Sequence, residues 1–114
     1  MFGFMGSRTA RISPQDAIET GAILVDVRDQ TEVAQTGKAK GALHVPLMRL
    51  NDMADPRHPD FVPHLKQDAT VAVYCASGAR SGMAAQMLER LGYRDVRNMG
   101  GLGDWVRAGG ALEK

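Results

Sequence analysis

The stretch "VAVYCASGARSGMAAQMLERLGY", residues 71–93, joins two different patterns across a single thiol. Val71, Ala72, Val73 and Tyr74 form a short apolar run of the kind found in a strand covered on both faces. Met83, Ala84, Met87, Leu88 and Leu91 then recur at helical spacing, and Gly92 follows as a stop, which predicts an amphipathic helix beginning at Ser81. Between strand and helix stands Cys75, the only cysteine of the chain, followed by "ASGAR" as the connecting turn.

The flanking sequence repeats this alternation. Ser13-Pro14-Gln15-Asp16 supplies a serine cap, a proline at the first helical position and an acid in the first turn, with Gly21 to end the helix. "AILVDV" (22–27) reads as a strand buried on both faces. "DQTEVAQTG" (29–37) has Asp29 as cap, Glu32 as its capping-box partner and Gly37 as the stop. "ALHVPL" (42–47) reads as a short strand closed by Pro46. From Met48 to Lys66, Pro56, Pro59 and Pro63 limit regular structure to a short helix, a loop and a helical turn around Phe61 and Leu65. "DVRNM" (95–99) is a further strand, and "GGLGDWVRAGG" (100–110) a glycine-bounded helix with Trp105 and Val106 facing inward; residues 111–114 are expected to fray.

Strand and helix in alternation predict an α/β fold, a central mainly parallel sheet with helices on both faces, because parallel neighbours need crossover connections. Residues 12–114 are expected to form the domain. Residues 1–11 are expected to be a flexible lead-in, with Met1, Phe2, Phe4 and Met5 in a loose terminus. In open parallel sheets, ligands bind beyond the carboxyl ends of the strands, and Cys75 falls at such an end.

Composition narrows the function. The chain has 114 residues, 44% of them apolar, enough for one domain with its own core. Its net charge of +1 gives no global field for nucleic acid or an anionic membrane, so any anion must be attracted locally. One cysteine rules out an internal disulfide and a multi-thiolate metal site. That usage fits a reducing compartment, and with no apolar run of spanning length the expected location is the cytoplasm.

The turn after Cys75 is suited to an anion. Gly78 accepts backbone angles that other residues resist, and Ala76, Ser77 and Ala79 are small enough for the loop to curl around the thiol. Inward amide N–H groups, together with a helix N-terminus, form an anion-binding concavity that favours the thiolate. A free cysteine titrates near ~8.5, and such surroundings lower that value. Arg80 adds a cation and a planar fork of donors suited to an oxyanion. A lone cysteine at a strand end is more often a small buried hydrophobe. The conjunction of strand, cysteine, glycine turn, arginine and helix start favours the reactive alternative, since each part supports the same charged state.

These residues resemble the rhodanese family of sulfurtransferases. "CASGARS" (75–81) is similar to the family's active-site loop, with Gly78, Arg80 and Ser81 in matching places. "LVDVRDQTEV" resembles its strand carrying Asp26 and Arg28, "GKAKGALHVPL" the segment after it, and "NMGGLGDWVRAGG" its glycine pair, tryptophan and alanine-glycine ending. Lys38, Ala39 and Ala111 depart from the family's usual histidine, isoleucine and proline, away from the thiol.

The resemblance implies a rhodanese-like fold and a Cys75 nucleophile. Its thiolate would take the outer sulfur of a small anion such as thiosulfate, become a persulfide, and pass the sulfur to cyanide, a thiol or a protein acceptor. Amides of Ala76, Ser77, Gly78, Ala79, Arg80 and Ser81 would bind the anionic states, and Arg80 the donor's oxyanion end. No metal or organic cofactor is called for, and no nucleic acid or membrane. Ser81 is expected to act mainly as a helix cap. Asp26 and Arg28 are expected to form an internal ion pair that positions loops, since buried carboxylates are rarely unpaired. His44, His58 and His64 are assigned surface or structural roles, and Trp105 is a core anchor.

Other readings remain. A cysteine phosphatase or arsenate reductase also holds a thiolate in an amide cradle, but its spacing would put arginine at position 81, where Ser81 stands. A persulfide carrier or redox-sensing module docking a protein partner would use the same thiolate. A non-catalytic interaction domain has no need of Cys75 with Arg80.

Overall fold

The computed structural model describes residues 10–114, so the reading of Met1, Phe2, Phe4 and Met5 lies outside the described residues. The strands are β1 (Ala10–Arg11), β2 (Ile23–Asp26), β3 (Lys38–Ala39), β4 (Leu43–His44), β5 (Thr70–Cys75), β6 (Asp95–Gly101) and β7 (Leu112–Glu113). The helices are α1 (Pro14–Thr20), α2 (Gln30–Thr36), α3 (Leu50–Met53), α4 (Ala79–Arg90) and α5 (Leu102–Arg107), with a 3-10 turn at Leu47–Arg49. A five-stranded sheet runs in the order β1-β6-β5-β2-β4. All its pairings are parallel.

Residue alternation along β5 divides the core. Val71, Val73 and Cys75 face one side, where Leu50 and Ala54 from the α3 segment and Ala84, Ala85 and Leu88 of α4 pack on them. Ala72 and Tyr74 face the other side, against Ala17 of α1 and Trp105 of α5. Each fully buried Val or Leu of these layers contributes roughly 1.5–3 kcal/mol of transfer free energy. With both faces covered, β5 needs apolar residues at every position, which is why its sequence does not alternate.

The predicted caps are present. Ser13 Oγ accepts the Asp16 N–H at 3.0 Å. Asp29 and Glu32 close a reciprocal capping box on α2, Glu32 N–H to Asp29 at 2.9 Å and Asp29 N–H to Glu32 at 3.1 Å.

Several expectations are corrected. Helix α4 starts at Ala79, not Ser81, because Gly78 takes a left-handed φ of 102° and serves as the N-cap, shortening the turn to residues 76–78. Met83 is 57% exposed and Val106 47% exposed, so neither lies on its helix's inner face. Residues 58–65 form isolated hydrogen-bonded turns and no helix, as expected of a backbone interrupted by Pro59 and Pro63. The chain end is tied down: Leu112–Glu113 pair antiparallel with Lys38–Ala39, and the Lys38 ammonium bonds the Glu113 carboxylate. Trp105 is a core anchor as expected, its indole N–H donating to the Ala111 carbonyl at 2.7 Å.

Candidate active site

Cys75 is the last residue of β5, the strand between β2 and β6, and is fully buried. The chain leaves the sheet there, turns through residues 76–78 and enters α4, so the first turn of the helix is laid over the sulfur. Gly78 N–H donates to Cys75 Sγ at 3.0 Å, and Ser81 N–H at 3.4 Å. The Ser81 hydroxyl also lies 3.4 Å from the sulfur. These donors lie at the positive end of a helix dipole, where negative charge is favoured.

Burial alone pushes the Cys75 thiol up. Hydrogen bonds from the Ser81 hydroxyl and from the amides of Ser81, Gly78 and Ser77 outweigh it, and the thiol is held below its ordinary value. These hydrogen bonds therefore stabilise the thiolate against the cost of burial. Its sulfur is the nucleophile of thiol chemistry, so the site can attack a soft electrophile such as a sulfane sulfur.

Ser81 is not a cap. It sits in the first turn of α4, fully buried, and its hydroxyl donates to Asn98 Oδ1 at 2.8 Å. Asn98 belongs to β6 and ties three pieces of backbone or side chain together. Its Nδ2 donates to the Gly78 carbonyl at 3.0 Å, and its Oδ1 also accepts the Gly100 N–H at 2.9 Å. A bulge makes this reach possible: β5 and β6 pair Val73 with Asn98 but Tyr74 with Gly100, skipping Met99. Beyond the bulge, a Cβ at Gly101 would stand 2.3 Å from the Ala76 carbonyl oxygen, so only glycine lets β6 pass the root of the loop.

In the thiol form the Ser81 proton points to Asn98. When Cys75 ionises, the hydroxyl can turn its proton to the sulfur while Gly100 N–H continues to satisfy Asn98 Oδ1. Ser81→Ala is accordingly expected to raise the thiol pKa and slow iodoacetamide alkylation at neutral pH by about three- to tenfold, the worth of roughly one hydrogen bond. A pH–alkylation profile that superimposes on that of the unmutated chain would remove Ser81 from the account.

Arg80 does not stand free at the loop. Its Nη1 and Nη2 donate to the two Glu32 carboxylate oxygens at 2.7 and 2.9 Å, a bidentate pair between α4 and α2. Asp26 and Arg28 form the expected ion pair, at 2.8 Å and almost entirely buried. Arg28 also donates to Thr36 Oγ1 at 2.9 Å and to the Gly37 carbonyl at 2.7 Å, pinning the end of α2 to the end of β2. Asp26 and Arg28 thus hold in place the wall that α2 forms beside α4.

Of the three histidines, His44 Nε2 bonds the Arg28 carbonyl at 2.8 Å, His58 Nδ1 accepts the Asp60 N–H at 3.0 Å, and His64 is exposed. No group of His, Cys, Asp or Glu among the described residues is arranged to hold a metal ion. Sequence reasoning missed two functional neighbours. Asn98 stood as an ordinary strand residue, although a polar side chain in a strand of a sheet covered on both faces is a usable signal. Glu32 was legible only as a capping-box acid.

A buried free thiol at a parallel-strand end, with amides and a helix N-terminus around it, marks an α/β domain centred on one cysteine. The Rhodanese-like domain model matches residues 14–108, and the chain belongs to that family. It is 39% identical over 80 residues to the thiosulfate sulfurtransferase PspE of Escherichia coli, covering 70% of each chain. It is 36% identical over 88 residues to a sulfurtransferase of Allochromatium vinosum, covering 76% of this chain and 74% of that one. Among solved structures, it superposes with a TM-score of 0.80 and 31% identity on a protein of unknown function from Rhodopseudomonas palustris, described as a possible tyrosine phosphatase. That match covers 92% of this chain and 85% of the other. No helix among the described residues is long and apolar enough to cross a membrane.

Proposed function

We propose that this protein is a sulfurtransferase of the thiosulfate sulfurtransferase type, working through a persulfide on Cys75. The observation that carries the reading is the sulfur at the end of β5 with Gly78 N–H at 3.0 Å and Ser81 N–H at 3.4 Å. The Cys75 thiolate attacks the outer sulfur of thiosulfate. A Cys–S–S bond forms, the donor's S–S bond breaks, and sulfite departs with the electron pair. Cyanide or a thiolate then attacks the outer sulfur of the persulfide and returns Cys75 to its thiolate. The amides from residue 76 to residue 81 stabilise both anionic states without reorganising, and splitting the transfer lowers each barrier. Arg80 stands in the first turn of α4 as the cation an arriving oxyanion meets, with both its terminal nitrogens already bonded to Glu32. No metal or organic cofactor enters this route, and the single thiol suits a reducing cytoplasm.

The phosphatase reading is weaker on a specific ground. Arginine at position 81 would be needed to hold a phosphate over the cysteine, whereas Ser81 is buried there with its hydroxyl committed to Asn98 and the sulfur. The shorter cradle suits one sulfur atom better than a tetrahedral phosphate. A persulfide carrier that docks a protein partner uses the same Cys75 chemistry and differs in its donor.

Intact mass before and after thiosulfate, then cyanide with detection of thiocyanate, tests both half-reactions. One added sulfur on Cys75, lost to cyanide with thiocyanate released, is expected. An unchanged mass with thiosulfate, together with Cys75-dependent hydrolysis of an aryl phosphate, would overturn the reading.

A further inference from the structure

The ion pair that joins α4 to α2 bears on which donors the site accepts, and this inference rests on the sulfurtransferase reading above. Arg80 is the cation nearest the loop in sequence, and both terminal nitrogens of its fork are bonded to Glu32. Glu32 is not a carboxylate that swings away freely. Its backbone N–H is bound by Asp29 at 2.9 Å, and its Oε1 accepts the Asp29 N–H at 3.1 Å while holding Arg80. The capping box therefore aims Glu32 at the first turn of α4.

The pair is half-buried, with side-chain exposures of 36% for Arg80 and 30% for Glu32, so it stands where an incoming solute meets it. The Arg80 guanidinium draws the Glu32 carboxyl down to about 2, so Glu32 is ionised throughout the neutral range in which sulfur transfer is assayed.

An oxyanion arriving at Arg80 consequently meets a fork already filled on its bidentate edge and a fixed negative charge beside it. The repulsion scales with the donor's charge. We infer that Glu32 is a specificity-determining positioning residue, which holds Arg80 and disfavours doubly charged sulfur donors such as thiosulfate relative to singly charged ones such as an aryl thiosulfonate. The device acts on donor binding and leaves the sulfur-transfer step at Cys75 unaltered.

Glu32→Gln tests this cleanly, because glutamine at the same place still accepts the Asp29 N–H and keeps the capping box. Steady-state kinetics of the full chain and the variant would be measured with thiosulfate and with benzenethiosulfonate, cyanide being the acceptor in both. The KM for thiosulfate is expected to fall by about three- to tenfold, that for benzenethiosulfonate by under about twofold, with kcat little changed, as for removal of a like charge at a binding rim. Equal changes for the two donors, or a KM for thiosulfate that does not fall, would overturn the inference while leaving persulfide chemistry standing. Failure of both proteins to release thiocyanate from either donor would instead remove the sulfurtransferase reading, and this inference with it.

Discussion

Replacing Cys75 with serine is expected to abolish sulfur transfer, lowering thiosulfate turnover by at least about a thousandfold, while the fold survives. The hydroxyl is close to the thiol in size and can accept the same Gly78 and Ser81 amides, so packing on the α4 face of the sheet is nearly preserved. What is lost is chemistry. A serine hydroxyl is not ionised by this environment at neutral pH, and oxygen forms no counterpart of the persulfide. Mass spectrometry after thiosulfate should show no added sulfur, and the melting temperature should move by no more than a few degrees, in line with a change on the order of 1 kcal/mol. Sulfur loading of the serine variant would sink the nucleophile assignment, because no other cysteine exists in the chain.

Asp26→Ala should have the largest effect on stability. Asp26 is fully buried and accepts the Arg28 backbone N–H at 2.9 Å as well as three guanidinium contacts at 2.8–3.1 Å. Its removal leaves the Arg28 guanidinium, 3% exposed, without a counter-charge. Breaking one side of a buried pair costs about 3–5 kcal/mol. For a domain of this size that corresponds to a fall in Tm on the order of 10–20 °C. Activity should fall in step with the folded population, because Arg28 ties Thr36 and Gly37 at the end of α2 to the end of β2 and that tie is lost. Chemical denaturation of the variant measures the effect; a loss under about 1 kcal/mol would show that water reaches the pair and that it does not anchor the wall.

Much of this architecture was legible before any coordinates. The β5 run could only be a doubly covered strand, and the caps at Ser13 and Asp29 placed α1 and α2, because these signals depend on neighbours within a turn or two. The Asp26–Arg28 pair was readable for the same reason, with only Val27 between the partners. The errors arose where local pattern was misleading. Met83 has helical spacing with the core residues but points to solvent, and the α4 start was displaced because the Gly78 backbone angle, rather than the Ser81 side chain, ends the turn.

The sequence by itself determined an α/β domain with a parallel sheet, a lone thiol at a strand end and a glycine turn that makes the following helix face it. Only the tertiary structure decided what surrounds that thiol. Glu32 reaches Arg80 across 48 positions, Ser81 meets Asn98 across 17, and the chain end reaches Lys38 across 75. Such pairs have no local signature. They exist because strand register, including the bulge at Met99, and the packing of α2 and α4 at the carboxyl edge of the sheet bring distant side chains within hydrogen-bonding distance.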